Sequence, residues 1–149
     1  MRAGILRVVL PVVAGMTAVI GGQGVAHADT SWCERVDYGS GVFEHCEVEQ
    51  VTAAGNAQAH LWYSVSATTV TPYYANGVFY NTSGYSINTW LQRRSGTSGS
   101  WANLFGPYLM ASGVAGKGTN YYYDGPGYQM RSCFQFTWSG AALHCTSPF

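Results

Sequence analysis

Charge is scarce in this sequence. Asp, Glu, Lys and Arg make up 9% of its 149 residues, and Lys117 is the single lysine. From residue 29 onward, five basic residues (Arg35, Arg93, Arg94, Lys117, Arg131) stand against seven acids (Asp29, Glu34, Asp37, Glu44, Glu47, Glu49, Asp124), a net charge of −2 with neutral histidines. A nucleic-acid partner needs a basic footprint, and none exists here. Helical periodicity is missing as well. Apolar residues do not recur at i, i+3, i+4 and i+7 over any useful length, and 19 glycines interrupt the chain. Both features exclude a helical architecture.

Catalytic signatures are also lacking. Gly96-Thr97-Ser98-Gly99 has neither the spacing nor the following helix of a serine-hydrolase elbow. Around Lys117, Gly118 stands where a phosphate loop needs Ser or Thr, and Ala111 stands where it needs its first glycine. The acids cluster mainly between residues 34 and 49, with Asp124 at a turn, so no carboxylate pair is laid out across a cleft. No Cys-x-x-Cys occurs, which argues against zinc. Glu44, Glu47 and Glu49 lie near His45, but strand alternation is read as dividing them between two faces. The expectation is therefore no enzyme, no catalytic residue, no metal and no cofactor.

What is present begins with an export signal. Arg2 and Arg7 precede or interrupt a mostly apolar stretch over residues 5–20, and Ala26-His27-Ala28 offers a small-x-small cleavage site. Residues 1–28 read as a secretory signal peptide, cut after Ala28. The apolar stretch falls short of the roughly 20 residues that span a bilayer, so no membrane span is expected after cleavage. Residues 29–149 are expected to form one domain, secreted to the extracellular space.

Four cysteines remain, Cys33, Cys46, Cys133 and Cys145, and an oxidising destination reads them as two disulfides. Turn chemistry selects the pairing. If Cys133 faces Cys145 in a hairpin, Phe134 faces His144, Gln135 faces Leu143, and Trp138-Ser139-Gly140 is left as a three-residue loop. Its last position favours a left-handed residue, which glycine supplies. If Cys33 faces Cys46, Gly39-Ser40 is left as a two-residue loop with glycine first, as a type II′ turn requires. Each bridge then staples one hairpin, Cys33–Cys46 and Cys133–Cys145.

The remaining chain reads as strands. Residues 32–38 and 41–52 make the first hairpin, and Ala54-Gly55-Asn56 turns the chain. Residues 57–70 alternate, with Ala59, Leu61, Tyr63 and Val65 opposing His60, Trp62 and Ser64. Asn76-Gly77 is a strong hairpin signal, pairing Tyr74 with Phe79 and Tyr73 with Tyr80. Residues 85–94 set Ile87, Thr89 and Leu91 against Asn88, Trp90 and Gln92. Residues 95–100 read as a polar loop. Residues 101–105 and 108–110 read as one strand broken at Gly106-Pro107, and residues 112–118 as a second loop. About eight or nine strands, with turns every ten residues or so, give an all-β antiparallel sandwich, immunoglobulin-like; a closed β-barrel is the alternative.

Two resemblances attach to these residues. Asp124, Pro126 and Tyr128 stand at the spacing of the corner in immunoglobulin-like domains, where a tyrosine hydroxyl bonds back to the backbone. There the cysteine comes two residues later and bridges the sheets. Here Cys133 comes five after Tyr128 and so faces the other way, which leaves a hairpin staple and no inter-sheet disulfide. More broadly, the signal, the single lysine, the few isoleucines and the two staples resemble small exported two-disulfide β-sandwich proteins of actinobacterial type.

Function is read from the aromatics. The stretch from Pro72 to Ser86 is mostly Tyr, Ser, Gly, Asn and Thr, a bias shared with antibody recognition loops, and Tyr121-Tyr122-Tyr123 adds a second cluster. The candidate binding residues are Tyr73, Tyr74, Phe79, Tyr80, Tyr85, Trp90, Tyr121 and Tyr123. Arg93 and Arg94 end a strand and read as solvated, with a clamp on an acidic partner as the alternative. The expected function is a non-enzymatic domain that recognises a secreted or cell-surface protein, as an adaptor, inhibitor or toxin component. A carbohydrate-binding module is the alternative, with a polysaccharide as partner. A small-ligand carrier is a third reading, from similarity in size, architecture and disulfide number to the secreted apoproteins of enediyne antibiotics, although the cysteine positions differ.

Overall fold

The computed structural model describes residues 30–39, 41–67 and 72–149. Residues 1–28, read as a signal peptide, and the expected cleavage site lie outside the described residues, as do Ser40 of the first turn and the end expected for the third strand. The described chain forms ten strands: β1 (Thr30–Asp37), β2 (Gly41–Thr52), β3 (Gly55–Ala67), β4 (Tyr74–Asn81), β5 (Ile87–Ser95), β6 (Ala102–Met110), β7 (Val114–Gly118), β8 (Tyr122–Tyr123), β9 (Tyr128–Phe136) and β10 (Leu143–Cys145). They build two antiparallel sheets. The first runs β1-β2-β3-β4-β7, with β8 also paired to β4, and the second runs β10-β9-β5-β6. The sheets pack face to face as a sandwich and do not close into a barrel. No described helix is long and apolar enough to cross a membrane.

Both hairpin staples form. Cys33 faces Cys46 and Cys133 faces Cys145, in the register that the turn residues imply. Gly39 (φ 71°) and Gly140 (φ 77°) take the left-handed conformation at the two turns. Two disulfides fit an oxidising compartment.

The core lies between the sheets. Val48, Ala57, Ala59 and Phe79 of the first meet Ile87, Met110, Phe134 and Phe136 of the second. A second cluster joins Cys46, Leu61 and Ala75 to Leu91 and Met130. Burying each large side chain contributes on the order of 1.5–3 kcal/mol relative to leaving it in water. The alternation read for β5 holds, with Ile87, Thr89 and Leu91 inside. In β3 it holds through Tyr63, which packs against the second core cluster; Ser64 is buried too, and the register shifts beyond it, between Phe43 and Val42.

Three local expectations are corrected. Asn76-Gly77 is not a turn. Both residues lie inside β4, paired with Trp62 and Leu61, and neither has positive φ. A Cβ on Gly77 would come within 2.8 Å of Ser132 Oγ and 3.1 Å of the Phe79 ring, so glycine serves close approach of the sheets here. Residues 112–118 are not simply a loop, because β7 adds Val114–Gly118 to the edge of β4. The corner at Asp124–Tyr128 is not a tyrosine corner. Gly125 O accepts the Tyr128 amide at 3.1 Å, with Pro126 and Gly127 (φ 92°) at the centre, the arrangement of a type II turn. Tyr128 stays exposed with its ring 4.5 Å below the Arg93 guanidinium. The break read at Gly106-Pro107 appears as a cis peptide and a register shift inside one strand, β6.

Candidate functional site

The eight candidate binding residues do not form one surface. Strand parity divides β4: Tyr74, Asn76, Val78 and Tyr80 point out, whereas Ala75, Gly77, Phe79 and Asn81 point in. Phe79 is fully buried between the sheets, stacked toward Phe105 at 6.2 Å, so it is core and displays nothing. Tyr85 lies just before β5, exposed beside Trp138 (4.9 Å), at the opposite end of the sandwich from Tyr73. Trp90 is half-buried on the outer face of the second sheet. Tyr80 is half-buried on the outer face of the first, edge-on to His60 at 5.0 Å.

The other four belong to one end. Tyr73, Tyr121 and Tyr123 are exposed, and Tyr74 meets Tyr123 edge-to-face at 5.7 Å. Tyr122 turns inward against the second core cluster, as alternation allows. Tyr73 has φ 66°, an uncommon conformation for a tyrosine. It is held there from both sides: its amide donates to Ser64 O (2.9 Å), and its carbonyl accepts from the Asp124 amide (2.6 Å).

Behind these rings a cleft of about 340 Å³ opens at the end of the core. Tyr63, Tyr73, Tyr128 and Phe149 wall it, and Glu44 and Asp124 supply carboxyl groups. Asp124 is buried, and neither of its carboxylate oxygens finds a partner of normal hydrogen-bond geometry. Burial pushes its pKa up to about 7; the Arg93 guanidinium and the Met130 amide offset part of that rise. Burial also raises the Tyr63 hydroxyl, with Asp124 adding to the effect. Arg93 leans over Tyr128 and donates to Tyr123 O at 2.9 Å, whereas Arg94 turns to Gln129 (2.7 Å) and the Trp101 ring (4.5 Å). The two arginines are thus held by neighbours and serve different surfaces.

A second constellation lies on the outer face of the first sheet. Alternation divides the three acids between two faces, as read: Glu44 falls on the opposite face from His45, whereas Glu47 and Glu49 share the face of His45. The hairpin registers bring Glu34 opposite His45, Trp32 opposite Glu47, His60 opposite Glu47 and Trp62 opposite His45. His45 Nε2 lies 2.8 Å from His60 Nδ1, and Glu47 Oε2 lies 3.7 Å from His60 Nδ1. The Trp62 ring stacks on His45 at 4.0 Å and Trp32 meets it edge-on at 5.3 Å. His45 and Glu47 are buried in this aromatic setting. Burial lowers the pKa of His45, opposed by Glu34; it lowers that of His60 to about 4, assisted by His45. Burial raises that of Glu47, with Glu49 and Glu34 adding repulsion.

The signal for this cluster was present in the sequence. The Cys33–Cys46 pairing fixes the β1–β2 register. A two-residue turn at Ala53-Ala54 then fixes β2 against β3. Placing that turn over residues 54–56 shifts the register and separates Glu47 from His60. No protein-family model matches this chain, and neither the curated proteins nor the solved structures yield a match.

Proposed function

We propose that this chain is a secreted, non-enzymatic binding domain that recognises another protein through its tyrosine-walled end cleft. The observation that carries the reading is the buried Asp124 carboxyl, short of partners at the base of a cleft walled by Tyr63, Tyr73, Tyr128 and Phe149. Aromatic faces and an underused carboxylate attract an organic cation. A lysine or arginine side chain of the partner would complete that carboxylate with a charge-assisted hydrogen bond. Exposed Tyr121 and Tyr123 extend the contact area at low cost in side-chain entropy.

The test is capture of a partner from the culture supernatant of producing cells by the immobilised, disulfide-bonded protein. Asp124→Asn and Tyr73→Ala should each weaken capture about tenfold or more, a free basic peptide should compete, and Tyr85→Ala should leave capture unchanged. Capture that survives both cleft substitutions, or retention of polysaccharide alone, would rule the reading out.

A further inference from the structure

We propose that His45, Glu47 and His60 form a binding site for one divalent transition-metal ion of the zinc class, on the face of the first sheet away from the core and independent of the end cleft. Each residue offers one donor atom, and the three donors lie within 4.8 Å of one another. Two imidazoles and one carboxylate are a common zinc donor set that leaves a fourth position open.

The geometry is close to that of a bound site. Zinc–nitrogen bonds of about 2.0–2.1 Å in a tetrahedral shell put the two nitrogens roughly 3.3 Å apart. His45 Nε2 and His60 Nδ1 are 2.8 Å apart, so the rings need separate by only about half an ångström. The donors sit on adjacent paired strands, where the backbone ladder fixes their spacing, and Trp62 and Trp32 pack against the His45 ring.

The surroundings match what supports a metal ligand. Glu34 Oε1 lies 3.5 Å from His45 Nδ1, the nitrogen that would face away from the ion. A carboxylate in that position orients a ligating histidine and strengthens its basicity. Gln58 Nε2 donates to Glu47 Oε1 at 3.0 Å, which leaves Oε2 for the ion. Glu49 stands beside them, bonded to Gln58 at 3.1 Å.

Charge balance points the same way. Glu34, Glu47 and Glu49 surround the imidazoles, and every basic side chain of the described residues is engaged elsewhere. Arg35 reaches Glu44, and Arg93 lies over Tyr128. Arg94 and Arg131 stack on Trp101, and Lys117 lies over Tyr108. A buried carboxylate without a cation is costly, and a divalent ion would neutralise it.

The experiment is titration of the tag-free, disulfide-bonded protein with zinc chloride, followed by calorimetry, melting temperature and native mass spectrometry, with cobalt(II) absorption as a readout of geometry. The expected result is one zinc ion per chain, a raised melting temperature and intense tetrahedral cobalt bands. His60→Gln and Glu47→Gln should each weaken zinc binding by 100-fold or more. Glu34→Gln should weaken it about 10- to 100-fold, as loss of an orienting partner does. Far-UV circular dichroism checks that each variant is folded, and two ligand variants guard against failure of one. Absence of zinc binding by the wild type, or undiminished 1:1 binding by folded His60→Gln and Glu47→Gln, would overturn the proposal.

Discussion

Asp124 holds a carboxyl group that its surroundings neutralise only in part, and this gives it a pH signature. Its ordinary pKa of 3.8 rises to about 7 in the fold, with burial as the main cause. The folded state therefore keeps a proton that the unfolded chain loses between about pH 4 and 7. Stability attributable to this residue is present below about pH 4 and is lost as pH rises through about 7, the reverse of a salt-bridged aspartate. At about 1.4 kcal/mol per unit of pKa, the change is a few kcal/mol. Asp124→Asn removes the titration. Urea unfolding of wild type and variant at pH 4.5 and pH 8 should show the wild type losing about 2–4 kcal/mol relative to the variant on going to pH 8. A difference between the two proteins that stays constant across that range would mean that Asp124 keeps its ordinary pKa in the fold.

At the scale of the strand, the two staples do the same task. β1 pairs only with β2, and β10, three residues long, pairs only with β9, so each disulfide ties an edge strand to its neighbour. Sequence separations of 13 and 12 close loops of similar size, which the chain-entropy account values at about 2–3 kcal/mol each. The second staple also positions the segment that ends at Phe149, whose backbone exchanges two hydrogen bonds with Met130 (3.2 and 3.3 Å) beside the cleft. Paired Cys-to-Ala variants should each lose about 2–3 kcal/mol in guanidinium unfolding. In Cys133→Ala/Cys145→Ala, amide hydrogen exchange over residues 143–149 should accelerate while β5 stays protected. Protection that falls equally in β5 would show that the staple holds the whole fold and not its edge.

For the whole molecule, the sandwich rests on side chains that cross between sheets, and Phe79 is one of the largest of them. Phe79→Ala leaves a cavity between two ladders that cannot collapse onto it, and the expected cost is about 3–5 kcal/mol. Tyr80, the next residue, points outward, and Tyr80→Ala should cost about 1 kcal/mol or less. Thermal or chemical unfolding of the pair distinguishes a core residue from a displayed one; similar losses would place both on the surface or both in the core. The two sites are also separated at this scale. One opens at the end of the core and the other lies on the outer face of the first sheet, so substitutions in one should not alter binding at the other.

The sequence by itself determined the class of fold, both disulfide pairings, the hairpin registers around them and the inward face of β5. These are local consequences of turn chemistry and a two-residue period, and a cysteine pair fixes a register within about a dozen residues. It did not determine what β4 does. Asn76-Gly77 has the composition of a turn, but burial of Phe79 and close approach of Gly77 to Ser132 outweigh that preference, and neither partner is near in sequence. The same limit separated the tyrosines. Tyr74 and Tyr123 meet at one end because β8 pairs with β4, whereas Tyr85 is carried to the other end with β5. The cleft required five segments to converge, around residues 44, 63, 73, 124–128 and 149. The histidine–glutamate cluster depended on a single turn: lengthened from two residues to three, it reverses which side chains share a face. Only the packed sheets, which bury one face and expose the other, decide that register.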